Sequence, residues 1–439
     1  MPQKKTKYRW VVMGLLFILY TVANADRANI GFVLPYLRKE FAMSNTEAGG
    51  IISLFFFAYA AFQIPSGFLV KKFGIRTMFT MGMIFTSLFT GMIGTAGSIF
   101  SLKALRLLVG VAEAPVAISS SATINNWFPA KEKGTATGIF LAGSKAGPLI
   151  VPLLCAWIIS VWGWREVFYI FMVPGLLLAA IWFFFISDTP ADSKFVNEAE
   201  AAYIADKTVV EKQVASKREY KLWWLDKIVR AKKVEPLTTP AQVFRSWDIY
   251  GVACGYFFAV GLSSVFMSWL PTYLVTVKHF AIMNTAFVAS APFAGTVVGN
   301  FFGGWFSDNV LGKRRKPMMM LTAISTSIMM YSMINAPESA VLLGLLLFVA
   351  GILLALGYSM YMAYPMGRTN KETYPVAFSV VNMGGQIGGA CAPLIVGIIL
   401  DKYNWDAVWM ALAIGSFICL AIVSSVIEPV QDPVERSNT

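Results

Sequence analysis

The 439-residue chain is 57% hydrophobic and only 14% charged, where a soluble domain has roughly 45–50% apolar and 25% charged residues. Its net charge of +12 would suit a nucleic-acid binder in water. Here the charge lies in short segments between long apolar stretches, so it reports membrane topology and excludes a nucleic-acid partner and a sizeable soluble catalytic domain.

A hydrocarbon core about 30 Å thick needs roughly 20 apolar residues per helical crossing. In chain order, spans are predicted at 10–36, 46–70, 77–98, 100–124, 135–158 and 165–187. A second series follows at 248–275, 283–306, 316–335, 339–364, 374–400 and 405–428. The first span follows basic residues, as a signal peptide would. It is too long for one, is interrupted by Asp26 and Arg27 and lacks a small-residue cleavage site, so it is expected to stay in the mature chain. Cys155, Cys254, Cys391 and Cys419 all fall inside spans, which suggests packing rather than a disulfide framework. With both termini placed in the cytoplasm, and Arg165 and Lys316 at the span ends counted with the adjoining loops, 27 of the 36 Lys and Arg residues lie in inner tails and loops and 5 in outer loops. The positive-inside rule selects that orientation.

The expected fold is therefore an all-α membrane protein of twelve transmembrane helices in two pseudo-symmetric six-helix bundles, 1–187 and 248–439, joined by a cytoplasmic linker at 188–247. The linker carries Glu198, Glu200, Lys217, Arg218, Lys221, Lys232 and Lys233. It reads either as a solvated connector or as an amphipathic helix on anionic lipid, anchored by Trp223 and Trp224. Duplication is supported by Pro148-Leu-Ile-Val151 in span five, which recurs as Pro393-Leu-Ile-Val396 in span eleven. Likewise Trp164-Arg-Glu-Val-Phe168 before span six is echoed by Trp405-Asp-Ala-Val-Trp409 before span twelve. Parallel halves of this kind belong to alternating-access transporters that bind substrate near mid-bilayer.

Ionisable groups deep in a membrane are costly and are functional candidates by default. Span one holds Asp26 and Arg27, span four Arg106 and Glu113, and span five Lys145. The charge chemistry thus belongs to the N-terminal half. Arg106 and Glu113 are seven residues apart, on one helix face and about 10 Å apart along the axis. Tyr20, Asn24 and Arg27 form a polar stripe on span one, expected to face the cavity. The five charges sum to +1 with both acids ionised and +3 with both protonated, so protonation favours an anion and offers a route to proton:anion symport. Lys145 beside Ser144 either supplies a second cationic contact to substrate or pairs internally. Tyr358, Tyr361 and Tyr364 in span ten either edge the cavity or pack. In span eleven Asn382 and Gln386 are candidate hydrogen-bond partners, and Gly384, Gly385, Gly388 and Gly389 read as packing or rocking surfaces. His279, the only histidine, falls in an outer loop, and no Walker A sequence occurs. Neither a metal site nor a cofactor is expected, and the chain reads as a secondary transporter rather than an enzyme or a primary pump. It is expected to act as a monomer in the bilayer.

Several motifs carry a family resemblance. Gly67-Phe-Leu-Val-Lys-Lys-Phe-Gly74-Ile-Arg76, and Gly304-Trp-Phe-Ser-Asp308 followed by Lys313-Arg314-Arg315, resemble the signature gating loop of the major facilitator superfamily. Lys71 replaces the usual aspartate in the first copy, while Asp308 keeps it in the second. Asp26-Arg27-Ala-Asn29, Gln63-Ile-Pro-Ser-Gly67, Arg106 through Glu113-Ala-Pro115, Asn126-Trp-Phe-Pro129 and Trp269-Leu-Pro-Thr-Tyr-Leu274 are similar to its anion:cation symporter branch. The resemblance implies uptake of sugar acids and related carboxylates with protons across a bacterial cytoplasmic membrane. It also implies that Arg27 pairs the substrate carboxylate, that Asp26 and Glu113 are the protonatable coupling sites, and that Tyr59 lines the site. Ser144 and Asn382 stand where the branch has a glutamine and an asparagine touching the polyol. Asn24 replaces a tyrosine, and the tryptophan usual in span ten has no clear counterpart.

Overall fold

The computed structural model describes residues 6–129, 132–205, 223–312, 314–370 and 372–429. Lys217, Arg218, Lys221 and Lys313 lie outside the described residues, as do the side chains of Trp223 and Trp224. In hydrocarbon every backbone polar group must be satisfied within its own segment, which leaves helices as the available form for these apolar stretches. The first six are α1 (Tyr8–Glu40), α2 (Asn45–Phe73), α3 (Ile75–Ile93), α4 (Ile99–Trp127), α5 (Lys133–Val161) and α6 (Trp164–Phe185), followed by the short α7 (Glu198–Ala205). The short elements α8 (Trp223–Ile228), β1 (Ala231–Lys232) and α9 (Pro240–Arg245) precede the second series. That series is α10 (Trp247–Thr276), α11 (Ile282–Asn309), α12 (Lys316–Ser332), α13 (Ala340–Leu356), α14 (Tyr358–Arg368), α15 (Tyr374–Lys402) and α16 (Trp405–Ser425), ending in β2 (Glu428–Pro429).

Among the described residues, eleven helices are long and apolar enough to cross a membrane, with α13 and α14 forming one span. The twelfth is α3, only 19 residues long, whose Thr80, Thr86, Ser87 and Thr90 are buried against its neighbours. Large apolar side chains such as Phe57, Phe184, Phe301 and Leu345 are exposed on these helices, as expected where lipid is the solvent. The predicted tenth span is broken at Gly357, whose N–H donates to Thr322 Oγ1 at 2.8 Å. A Cβ there would sit 2.5 Å from the Met318 carbonyl oxygen.

The chain divides into two compact units, Met1–Met43 with Gly50–Gln213, and Ser44–Gly49 with Val214–Thr439. Small residues set the helix spacing in each, as in other membrane bundles. In the first, α1 and α5 approach closely: a Cβ on Gly147 would lie 2.6 Å from the Thr21 carbonyl oxygen and 2.7 Å from the Ala25 nitrogen. In the second, Gly295, Gly299 and Gly303 form a stripe on α11 against the Phe348, Ile352 and Leu356 carbonyls, at 2.0, 2.3 and 2.1 Å from a would-be Cβ. Gly384 and Gly388 similarly meet the backbone of α10 at Ala253 and Phe257.

A carboxylate after the sixth span and one after the twelfth play matching parts, each within its own unit. Asp188 accepts the Arg76 N–H at 2.6 Å at the start of α3. Glu428 accepts the N–H groups of Arg315 (3.0 Å) and Lys316 (2.7 Å) at the start of α12. Gly74 has φ +86°, and a Cβ there would lie 2.6 Å from Asp188 Oδ2, so both backbone and space demand glycine. The described ends of the linker are docked rather than free. Glu200 and Glu132 both bind Arg9 at 2.8 Å. Asp226 pairs with Arg314, and the buried Lys316 ammonium donates to the carbonyls of Val229, Ser424 and Val426 at 2.6–2.9 Å. Burial pushes the Glu428 carboxyl up to about 7, opposed by the Arg315 and Lys316 N–H groups and by the charges of those two residues.

Candidate functional site

The four charged residues read from spans one and four come together inside the first unit. Close approach of α2 and α4 is set by Gly110, where a Cβ would lie 2.4 Å from the Phe55 carbonyl oxygen. That contact brings the Phe55–Tyr59 turn of α2 against the Arg106–Glu113 face of α4. Gly147 brings α1 against α5 at the level of Asn24 and Ala25, next to Asp26 and Arg27.

Arg27 Nε donates to Glu113 Oε1 at 2.6 Å. Its guanidinium carbon lies 4.4 Å from the Tyr59 ring centroid and 5.3 Å from that of Phe55. Arg106 Cζ lies 4.7 Å from the same Phe55 ring. Asp26 is 0% exposed, and Arg106 and Glu113 1% each. Several polar atoms of this cluster meet no hydrogen-bond partner within the protein: both Asp26 oxygens, Arg27 Nη2, Glu113 Oε2, and Nε and Nη1 of Arg106. A buried polar atom left unpaired costs about 1–3 kcal/mol, more when charged. So many open valences around one ion pair form a poor structural clamp; they comprise N–H groups that can donate to an anion and carboxylate oxygens that can take a proton.

The other predicted residues are distributed as follows. Asn24 is buried, and its amide donates to the Tyr20 carbonyl one turn earlier at 2.8 Å. Ser144 likewise bonds its own helix at Leu141 O, 2.6 Å away. Tyr20 stacks on Phe140 with centroids 4.0 Å apart. Lys145 is partly exposed on α5. In the second unit, Asn382 and Gln386 share the α15 face between the glycines, and Gln386 Oε1 is buried with no partner within the protein. Tyr358 packs edge-on against Tyr256 at 5.2 Å. Tyr361, a candidate substrate contact whose spacing leaves cavity edge and packing open, belongs to the core of its unit. It is 1% exposed, pairs with Cys419 Sγ at 3.4 Å and fills the space left by Gly255. Tyr364 is also core and donates to the Ile427 carbonyl.

In the loop motifs, Gly67 and Gly304 face open space. Arg76 Nε donates to the Phe183 carbonyl at 2.6 Å. Asp308 pairs with Arg315 at 2.7 Å, while its neighbour Arg314 serves the linker through Asp226. Two residues of the cluster lacked an assigned part in the sequence reading. Phe55 sits in the run Leu54-Phe55-Phe56-Phe57, where the four-residue spacing to Tyr59 was the available signal. Asn29, three residues after Asp26, is 0% exposed with both amide atoms unpaired.

Helical bundles with apolar outer faces define a polytopic membrane protein, and arginines buried beside carboxyls mark a functional site within it. The chain belongs to the Major Facilitator Superfamily, whose family model matches residues 16–390 and 252–439. Members of this family are transporters rather than enzymes. The chain is 29% identical over 413 residues to the probable galactarate/D-glucarate transporter GudP of Bacillus subtilis (strain 168), covering 91% of this chain and 87% of that one. It is 24% identical to the probable sulfoacetate transporter SauU of Cupriavidus necator, over 91% and 89% of the two chains. Among solved structures, it resembles the inward-facing, occupied form of a bacterial homolog of the human lysosomal transporter Spinster. The TM-score is 0.75 and identity 16%, with 96% and 98% of the chains covered.

Proposed function

We propose that this protein imports a small organic anion, a sugar acid or related carboxylate, by proton symport through alternating access. In this reading it sits in a bacterial cytoplasmic membrane with both termini inside. The observation that carries the proposal is the Arg27–Glu113 pair. An internal carboxylate holds the guanidinium at 2.6 Å while Arg27 Nη2 and both Asp26 oxygens remain without partners. A substrate carboxylate has the same chemistry as Glu113 and competes for the same fork. Once displaced, Glu113 loses its counter-charge and takes a proton, which links anion and proton binding reciprocally. Asp26 is the second coupling site, and Arg106 balances the charge of the cluster. Asn24, Tyr59, Ser144, Lys145, Tyr358, Asn382 and Gln386 are the further proposed substrate contacts.

The substrate class is supported by relatives named as carriers of galactarate, D-glucarate and sulfoacetate, all anions with carboxylate or sulfonate groups. Lys145 on α5 favours a second form of the reading, in which the anion carries two charges or is a sulfonate or phosphorylated compound. Anion exchange is the rival mechanism. Thermal-shift screening of the purified protein against galactarate, gluconate, sulfoacetate and neutral sugars tests the substrate class, because a ligand of the native state raises its apparent stability. Stabilisation by neutral sugars and by none of the anions would refute it. Uptake that a protonophore abolishes in the absence of counter-substrate supports symport, and a strict need for counter-substrate supports exchange.

A further inference from the structure

The Phe55 ring lies against both guanidiniums of the charged cluster, with centroid distances of 5.3 Å to Arg27 Cζ and 4.7 Å to Arg106 Cζ. Both distances fall within the roughly 6 Å at which a cation is attracted to an aromatic face. The ring is 0% exposed. It is held edge-on by Phe56 at 5.2 Å and stacked with Tyr59 at 6.0 Å and 17°. Its backbone is pinned by the close approach to Gly110. Arg106 feels the charges of Glu113 and Asp26, but its Nε and Nη1 meet no hydrogen-bond partner within the protein, so the ring is its closest packed support on that side. Arg27 has Glu113 and Tyr59 as further contacts. A leucine at this place would fill much of the volume and offer neither cation anything electrostatic.

We propose that Phe55 is a positioning residue of the transport site, a shared aromatic surface that fixes Arg106 while Arg27 exchanges Glu113 for a substrate carboxylate. The inference rests on the proposed role of Arg27 for its functional consequence, though not for the ring–cation contact itself. Because the ring carries no charge, it stabilises both arginines whichever carboxylate is present. A third carboxylate at the same place would be neutralised or displaced with each cycle.

The test is replacement of Phe55 in the full chain by 4-fluoro-, 3,5-difluoro- and 3,4,5-trifluorophenylalanine. These analogues keep the ring shape nearly constant while progressively weakening its negative face. Two readouts are taken, the thermal midpoint of the ligand-free protein and the KM and Vmax for galactarate uptake in proteoliposomes. The proposal expects the ligand-free midpoint to fall stepwise with fluorine number. It also expects KM to rise roughly threefold to tenfold across the series, with Phe55→Leu worse than any analogue. A flat ligand-free series beside a damaged Phe55→Leu protein would show that the ring acts by volume alone and would overturn the proposal. A stepwise fall in the ligand-free midpoint, in a protein whose unmodified form neither binds nor transports galactarate, supports the positioning contact. That result counts instead against galactarate as the anion Arg27 receives.

Discussion

Replacing Arg27 by lysine preserves the positive charge and removes the planar fork. Arg27 makes one charge-assisted hydrogen bond, to Glu113 at 2.6 Å, and holds its guanidinium 4.4 Å from the Tyr59 ring. A lysine ammonium can retain the bond to Glu113, so the fold should survive with little change in thermal midpoint. For a substrate carboxylate the loss is one arm of a bidentate contact, about 1.5–3 kcal/mol for a hydrogen bond to a charged group. The expected weakening is therefore roughly tenfold to a hundredfold in Kd. The assay is isothermal titration of the purified variant with whichever anion most raises the parent's thermal midpoint. Affinity within twofold of the parent would refute the assignment of Arg27 as the bidentate partner of the substrate. A large drop in the ligand-free midpoint would show that the pair with Glu113 is chiefly structural.

Lys145→Gln is expected to weaken doubly charged anions such as galactarate more than singly charged ones such as gluconate, read from the same titrations; equal losses would indicate an internal role. Gly299→Val is expected to lower expression and the thermal midpoint markedly, because a Cβ would sit 2.3 Å from the Ile352 carbonyl oxygen and backbone cannot yield cheaply. An unchanged midpoint would mean that α11 and α13 are not so closely apposed. Burial raises the Glu428 carboxyl from its ordinary value to about 7. The folded state therefore binds a proton more tightly than the unfolded one. Its contribution is fully present below about pH 4.5 and is lost as pH rises through about 7, by up to roughly 3 kcal/mol. Hydrogen-exchange protection factors at residues 424–428, with the base-catalysed intrinsic rate divided out, should fall between pH 5 and pH 8, and Glu428→Gln should flatten that fall; an unaltered profile in the variant would assign it elsewhere.

Much of the fold was legible because the bilayer permits few solutions. The lengths of the apolar stretches gave the helices to within a few residues, and the scarcity of charge inside them pointed to Asp26, Arg27, Arg106 and Glu113. The seven-residue spacing placed Arg106 and Glu113 on one face of α4, but nothing in the sequence says which acid Arg27 would choose. That choice depends on how closely Gly110 and Gly147 let the helices approach. The Gly295, Gly299 and Gly303 stripe was not read from the sequence, because only the approach of the α13 carbonyls shows which helix it packs against. Tyr361 and Tyr364 show the opposite difficulty. Three tyrosines at a spacing of three suit a binding face and a packed core equally, and only the contacts to Cys419 and Ile427 place these two in the core. The linker reads as charged and featureless because its partners, Arg9 and Arg314, lie 191 and 88 residues away from Glu200 and Asp226.

The coupling claim is tested most directly with Glu113→Gln, which keeps an acceptor for Arg27 and fixes the neutral form at a position 1% exposed. The measurement is substrate uptake into proteoliposomes under an imposed pH gradient, run beside counterflow without one. The variant should still exchange substrate in counterflow and fail to concentrate it under the gradient. Accumulation equal to that of the parent protein would contradict the role of Glu113 and return the Arg27–Glu113 pair to a structural one.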